Sequence, residues 1–154
     1  MSEAGDLREL YQELILDHTR KPRNFHDLPG ANRRAEGHNP LCGDRISLAF
    51  DVADGRIREA AFEGAGCAIS VASASMLTEA VSGKKVEEAR ALLSAFLAQT
   101  AGMAPDPEGS SVDLGKLKAF AGVREFPMRV KCATLAWRAL EAALEGEEIA
   151  VRTE

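Results

Sequence analysis

The sequence NPLCGD at residues 39–44 places a thiol and a carboxylate two residues apart in a short segment that contains proline and glycine. If the chain is extended there, the side chains of Cys42 and Asp44 point to the same side. Two other residues, Cys67 and Cys132, complete the cysteines of the chain. We predict that these four side chains converge on one site that binds a metal ion or handles sulfur.

The length and composition are those of a single globular domain. The 154 residues are 45% apolar, and one domain covering residues 1–154 should bury about 68–70% of the surface that its unfolded chain exposes. No apolar run approaches the ~20 residues of a membrane-spanning helix, and the first residues are acidic where a signal peptide would be basic and then apolar. We therefore expect a soluble, cytoplasmic protein with no membrane partner.

Charge and cysteine count argue against two further classes. The net charge is −5, and the basic residues are scattered apart from short clusters at residues 20–23 and 33–34, so a nucleic-acid partner is not expected. Three cysteines are an odd number, and nothing indicates secretion, so a disulfide framework is not expected either. The working assumption is that the thiols are reduced.

Hydrophobic periodicity predicts the elements of the first half. Apolar residues recur at helical spacing from residue 6 to about residue 20, and residues 31–38 fit one edge strand. Strict alternation over residues 45–52 predicts a half-buried strand. Asp54-Gly55 then supplies a tight turn into a partner strand at residues 57–62, where an imperfect apolar pattern leaves room for a bulge.

Helical patterns dominate the second half. They predict helices at residues 68–81, from 86 to the stop at Gly102, from Asp113 to about 121, and from Pro127 to 144. Proline and glycine mark residues 103–111 as an exposed loop, and residues 147–154 form a charged tail. The predicted fold class is α+β, in which a small antiparallel sheet of two to three strands packs against several helices.

This arrangement brings the thiols toward one end of the sheet. Cys42 comes just before the hairpin and Cys67 just after it, so both should emerge at the same end, while Cys132 lies early in the last helix. Three thiolates and one carboxylate suit Zn²⁺ or iron. Backbone N–H groups at helix starts favour the thiolate form of a cysteine placed there.

Each residue taken alone also has a simpler interpretation. A single cysteine is more often a small buried apolar residue than a ligand, and Asp44 alone is most often a turn residue. His38 offers a nitrogen ligand or is a solvated loop histidine, and His18 is interpreted as a cation at a helix C-terminus. The chain has no Cys-x-x-Cys pair, so the usual zinc-ribbon pattern has no support.

Three basic residues next to the motifs have two interpretations each. Arg45 follows Asp44, Lys131 precedes Cys132, and Arg129 lies three residues before that cysteine. Each is either a surface charge or a group that stabilises a thiolate or a persulfide.

Together the motifs resemble a known family. NPLCGD at residues 39–44, GAGCAIS at 64–70 and KCATLAW at 131–137 resemble the three cysteine motifs of the U-type iron–sulfur cluster assembly proteins. LYQELILDH at 10–18 and KPRN at 21–24 resemble the SufU branch of that family. The resemblance implies that the family's metal ligands are Cys42, Asp44, Cys67 and Cys132.

Two departures distinguish the branches. The IscU branch usually has a histidine immediately before the third cysteine, where this chain has Lys131, and the segment from residue 103 to 126 resembles an insertion of SufU-type proteins. The resemblance therefore implies a zinc site and a sulfur acceptor for a SufS-type cysteine desulfurase. Cys42 is the predicted sulfur-accepting thiol, because its loop is the most able to move.

Alternative functions stay open. A SufU-like protein would be a zinc-dependent sulfurtransferase, whereas an IscU-like protein would be a non-enzymatic scaffold that holds iron or an iron–sulfur cluster. In either case the expected recipients of its product are a downstream iron–sulfur assembly complex or apo-acceptor proteins. A further alternative is a structural zinc site or a plain interaction module.

Overall fold

The computed structural model describes residues 3–102, 112–146 and 150–152. The strands in these ranges are β1 (Arg33–Asn39), β2 (Asp44–Ala53), β3 (Arg56–Ala65) and β4 (Ala150–Arg152). The helices are α1 (Glu3–Arg20), α2 (Ala68–Val81), α3 (Val86–Ala101), a 3₁₀ helix (Gly115–Glu125) and α4 (Pro127–Leu144).

The predicted α+β fold with an antiparallel sheet is confirmed. β1, β2 and β3 form an antiparallel meander, in which Asn39 is paired with Asp44 and Arg45 with Ala65. Within the described residues the strand order is β3-β2-β1-β4, and the short β4 runs parallel to β1. This fourth strand was not predicted, because three residues are too few to show an alternating pattern.

The hairpin between β2 and β3 forms as the sequence predicts. Asp54 and Gly55 both have positive φ, 54° and 74°, which is the backbone that a two-residue turn between twisted strands requires. The pairing of β2 with β3 shifts register between Asp51 and Val52, which confirms the predicted bulge. The hairpin therefore sends the end of β3 back to the start of β2.

The predicted helices agree closely with the observed ones. α2 has the predicted bounds, and α4 begins at Pro127 as expected. α1 begins at Glu3, three residues before the predicted start. The segment after Asp113 is a 3₁₀ helix, and the Asp113 carboxylate accepts a hydrogen bond from the Gly115 N–H at 2.9 Å. The predicted loop at 103–111 and most of the predicted tail, residues 147–149 and 153–154, lie outside the described residues.

α4 occupies the centre of the hydrophobic core. Trp137 is fully buried and stacks on Phe96 of α3, with ring centroids 4.4 Å apart. Its indole N–H donates to the Ser73 hydroxyl on α2 at 3.1 Å, and that hydroxyl donates to the Ala133 carbonyl at 2.6 Å. A buried indole with a satisfied N–H defines one packing arrangement, so α4 is held between α2 and α3.

The same helix packs tightly on the sheet. A Cβ at Gly37 of β1 would lie 2.9 Å from the Leu135 side chain, so only glycine allows β1 and α4 to approach this closely. Cys132 lies one turn before Leu135 and is fully buried. The contact between β1 and α4 therefore carries Cys132 to the end of β1.

None of the helices in the described part of the chain is long and apolar enough to cross a membrane.

His18 lies in the last turn of α1 as predicted, but its interpretation as a cation there is wrong, because it is buried and its pKa is lowered. Its side chain is buried, with Nδ1 2.7 Å from the Ser75 hydroxyl and Nε2 3.5 Å from the Glu79 carboxylate. The last turn of α1 packs on α2, which the sequence of α1 alone does not indicate. Burial lowers the pKa of His18, the positive charge of Arg23 adds to this effect, and the charges of Glu79 and Asp17 oppose it.

We predict that acid weakens the fold through His18. Because the pKa of His18 is lowered in the folded state, the unfolded chain binds this proton more readily. Above pH ~6.5, the usual pKa of histidine, protonation of His18 should leave the free energy of unfolding unchanged. Below that pH, the free energy of unfolding should decrease as the pH falls. Urea denaturation of His18→Gln at pH 7 and pH 5 should show a smaller difference between the two pH values than the unsubstituted protein.

The matched control is His26→Gln, since His26 is exposed. It should keep the pH dependence of the unsubstituted protein. An equal pH dependence in His18→Gln and the unsubstituted protein would contradict the prediction.

Candidate metal centre

The four predicted site residues come from three places that the fold brings to one end of the sheet. Residues 40–43 connect β1 to β2 and carry Cys42, and Asp44 is the first residue of β2. Cys67 follows β3 and is the N-cap residue of α2, with extended backbone (φ −69°, ψ 165°). Cys132 lies on the buried side of α4. The turn at Gly43 has φ +70°, a backbone that glycine adopts without strain.

Three of these side chains form a compact group. The sulfur atoms of Cys42 and Cys132 and a carboxylate oxygen of Asp44 all lie within 4.8 Å of one another. Cys67 joins this group through Asp44, because its backbone N–H donates to Oδ1 at 2.8 Å and its thiol lies 4.0 Å from Oδ2. The thiol of Cys132 also interacts with those of Cys42 and Cys67. The structure thus brings all four residues together.

The group has a buried half and an accessible half. Asp44 and Cys132 are both 0% exposed. Cys42 and Cys67 are partly exposed, and Pro40, Leu41 and Gly43 around Cys42 are exposed. Gly64, Ala65, Gly66 and Ala68 around Cys67 are exposed as well, so the site is accessible from both segments.

Burial makes the Cys132 thiol a poor acid in the absence of a cation. The pKa of the Cys132 thiol is raised well above its ordinary value, first by burial and then by hydrogen bonds with Asp44, Cys42 and Cys67. A bound divalent cation reverses this preference, because it stabilises the thiolate form. Three sulfur donors and one carboxylate oxygen match the four-coordinate preference of Zn²⁺, and thiolate-rich sites also bind iron. The donor set of this site therefore fits either metal.

Two residues that support Asp44 were not predicted. A Cβ on Gly66 would collide with the Asp44 carboxylate, so glycine is needed for the chain before Cys67 to pass this close. The Asn39 side-chain amide is also fully buried, and its Nδ2 lies 3.5 Å from Asp44 Oδ2. Both residues belong to the motifs quoted above, but their contacts are with residues distant in sequence or across the turn. The sequence offered only one indication of their role: Gly66 stands directly before Cys67, and Asn39 directly before Pro40.

The predicted supporting residues lie in different surroundings. Arg45 follows Asp44 on β2, so its side chain lies on the opposite face of the sheet. It is exposed and forms an ion pair with Glu36 at 3.8 Å. Its position favours the surface-charge interpretation. Arg129 is exposed on the first turn of α4, and Lys131 is half-buried beside Cys132.

His38 is not part of the compact group. It is half-buried on β1 between the buried residues Gly37 and Asn39, so alternation along the strand turns its side chain away from theirs. The nitrogen-ligand interpretation of His38 therefore has no support in the described residues.

Comparison with known proteins identifies a family. Residues 10–133 match the model of the NifU-like N-terminal domain. The chain is 43% identical to the zinc-dependent sulfurtransferase SufU of Bacillus subtilis over 96% of its own length and 98% of that protein. It is 41% identical to the iron–sulfur cluster assembly scaffold protein IscU of Streptococcus pyogenes over 90% of its length and 85% of that protein.

A solved structure shares the fold. The crystal structure of an iron–sulfur cluster assembly scaffold protein of the SUF system from Fervidobacterium islandicum superposes with a TM-score of 0.78 at 35% identity. The match covers 86% of this chain and 94% of that chain.

We predict that Gly66→Ala disturbs the site by displacing the Asp44 carboxylate. Forcing a methyl group into this contact should lower the free energy of unfolding of the metal-free protein by about 1–3 kcal/mol, measured by chemical denaturation. Gly30→Ala is the matched control, because the space around a Cβ there is open within 4 Å and its effect should stay within about 1 kcal/mol. Equal stability of the two variants would contradict the assigned contact.

Proposed function

The chain belongs to the family of NifU-like N-terminal domains, and we propose that it serves iron–sulfur cluster biosynthesis as a zinc-dependent sulfur acceptor. In this proposal a cysteine desulfurase of the SufS type delivers sulfur to Cys42 as a persulfide. The zinc ligands are Cys42, Asp44, Cys67 and Cys132. The persulfide sulfur on Cys42 then passes to a downstream iron–sulfur assembly complex or to apo-acceptor proteins.

The difference in exposure between the cysteines is the observation that carries this proposal. Cys132 is fully buried and held on α4, whereas Cys42 is partly exposed in the connection between β1 and β2. Group transfer between two proteins needs one thiol that a partner can reach and that can move without disturbing the core. Cys132 meets neither requirement. Cys42 and Cys67 are both partly exposed, but Cys67 is the N-cap of α2 and its N–H is bonded to Asp44, so Cys42 fits both requirements better.

The donor set and the name of one similar protein favour zinc. Three thiols and a carboxylate fit its four-coordinate sites, and the similar protein of Bacillus subtilis is named zinc-dependent. When bound, zinc supplies a positive charge that keeps thiolate ligands deprotonated at neutral pH. Without such a charge, burial keeps the Cys132 thiol protonated, because its pKa is raised.

The transfer step is an exchange of one disulfide-type bond for another. The Cys42 thiolate attacks the terminal sulfur of the persulfide on the desulfurase. A new S–S bond forms between Cys42 and that sulfur while the S–S bond of the donor breaks. The donor cysteine leaves as a thiolate, and the transferred sulfur keeps its proton. No external oxidant or reductant is needed.

The remaining site residues hold the structure in place while Cys42 reacts. Asp44 is fixed by the Cys67 N–H at 2.8 Å and by the close passage of Gly66. Cys132 is fixed by the packing of α4. The turn of residues 40–43 contains Gly43, whose positive φ allows the chain to reverse there. Movement of Cys42 therefore need not disturb the other three side chains.

Exposed apolar residues beside the site suit a protein partner. Leu41, next to Cys42, is 55% exposed, and Met128, one turn before Cys132, is equally exposed at 55%. Phe126, at the N-cap of α4, is 60% exposed. Exposed large apolar side chains are typical of surfaces that exclude water when a partner docks. We assign this surface to the desulfurase.

A scaffold function is the second candidate. The similar proteins of Streptococcus pyogenes and Fervidobacterium islandicum are described as scaffolds for iron–sulfur clusters. The same donors would then hold the iron and sulfide of a nascent cluster, and the oxygen of Asp44, a weaker ligand toward iron than a thiolate, would leave that cluster labile enough to transfer.

Metal content distinguishes the two candidates. We predict that protein purified from cells supplied with both zinc and iron carries about one zinc per chain. Zinc at a hundredfold excess over its Kd should raise the free energy of unfolding by about 2.7 kcal/mol, measured by denaturation with and without a chelator. Iron and sulfide with visible absorbance would instead support the scaffold.

Substitution of Cys42 tests the sulfur-acceptor role. We predict that Cys42→Ser loses stimulation of a SufS-type desulfurase, measured as sulfide release. Its metal-free form should keep a free energy of unfolding within about 1 kcal/mol of the unsubstituted protein, because residue 42 is partly exposed. Ala31→Ser, at a half-buried small residue outside the site, should keep full stimulation.

Two results would contradict the role given to Cys42. Full stimulation by Cys42→Ser would show that another group accepts the sulfur. A variant that loses stability along with the metal, and that loses stimulation only as far as it unfolds, would instead support a structural zinc module.

A further inference from the structure

Asn39 borders three of the four site residues. It is the last residue of β1 and is paired directly with Asp44, the first residue of β2. Its backbone carbonyl accepts a hydrogen bond from the Cys42 N–H at 3.3 Å. Its side chain is 0% exposed and reaches Cys132 on α4.

The side-chain amide lies between two acceptors. Nδ2 is 3.5 Å from Asp44 Oδ2 and 3.7 Å from the Cys132 sulfur. A carboxylate accepts hydrogen bonds and cannot donate them, and the Cys132 sulfur is likewise an acceptor only in the thiolate form that binds a metal. An amide nitrogen can only donate. The opposite orientation would turn Oδ1 toward both acceptors, so the chemistry of the neighbours supports the orientation with Nδ2 facing the site.

The oxygen of the same amide receives no hydrogen bond from the described residues. Oδ1 of Asn39 is buried and has no hydrogen-bond partner among the described residues. A buried acceptor without a partner destabilises the fold, and an isosteric apolar residue would avoid this cost. An asparagine at position 39 is therefore poorly explained by stability, and its donor end, which faces the site, offers the better explanation.

We propose that Asn39 is a positioning residue of the metal site, which orients the Asp44 carboxylate and the Cys132 sulfur by donating hydrogen bonds to them. The inference rests on the proposed function only in taking these two residues as ligands. Groups that hydrogen-bond to metal ligands fix the direction of the ligand atoms, and their loss typically lowers metal affinity 10–100-fold.

Two variants at position 39 test this role. Asn39→Leu keeps the approximate volume and removes the donor, and Asn39→Asp keeps the shape but replaces the donor by a second acceptor. Zn²⁺ affinity is measured by competition with a chromophoric chelator. The ligand set is followed by the visible spectrum of the Co²⁺-substituted protein, in which sulfur-to-cobalt charge transfer reports the thiolates.

Metal affinity and stability should separate in these variants. We expect Asn39→Leu to bind Zn²⁺ 10–100-fold more weakly than the unsubstituted protein and to show an altered Co²⁺ spectrum. The metal-free form should unfold at the same or a higher denaturant concentration, because the unpaired buried Oδ1 is gone. Asn39→Asp should lose at least as much affinity, and it decides the question if Asn39→Leu does not fold.

Asn32→Leu is the matched control. Asn32 is exposed, and its side chain bonds the backbone of Val52 in both directions, at 2.7 and 2.9 Å. A structural asparagine of this kind should lose stability on substitution and keep its Zn²⁺ affinity, which is the reverse of the pattern expected for Asn39.

The outcomes separate this inference from the proposed function. If the unsubstituted protein binds zinc and the variants at position 39 bind it within twofold of that affinity, the role of Asn39 is wrong and the proposed function stands. The role is also wrong if affinity falls only in parallel with metal-free stability. If the unsubstituted protein binds no zinc, both the zinc-dependent function and the role of Asn39 are overturned.

Discussion

The hydrogen bond from the Cys67 N–H to the Asp44 carboxylate, at 2.8 Å, is the contact on which the site depends. A fully buried carboxylate loses its hydration and needs donors in exchange. The start of α2 supplies one of them, since the first N–H groups of a helix have no partner within it. Through this bond the start of β2 and the start of α2 are joined at one end of the sheet, with Cys42 and Cys67 on either side.

The fold divides the site into a part that is held and a part that can be reached. α4 passes through the core, where Trp137 packs on α2 and α3 and Leu135 packs on β1, and this packing keeps Cys132 fully buried. The connection between β1 and β2 has exposed neighbours around Cys42. A sulfur acceptor needs both properties, because its ligands must stay in place while one thiol meets a partner.

The region around the site is less stable than an apolar core would be. Three thiols and a carboxylate share a small volume, and the pKa of the Cys132 thiol is raised there. Asn39 Oδ1 and the Ser70 hydroxyl, three residues after Cys67, are buried without a hydrogen-bond partner among the described residues. Unpaired polar atoms often concentrate where function, rather than packing, determines the residue. A cation bound by the thiolates would offset much of this instability.

The sequence by itself determined the elements whose signal is local. Strict alternation over 45–52 and the Asp54-Gly55 turn predicted the hairpin, and Pro127 predicted the start of α4, because backbone preference and side-chain period act within a few residues. The tertiary structure alone decided the pairing of β4 with β1, the burial of His18 against Ser75, and the place of Asn39 between Asp44 and Cys132. These features depend on contacts between residues up to 114 positions apart, as in the pairing of Glu36 with Ala150, and such contacts exist only once the elements have packed together.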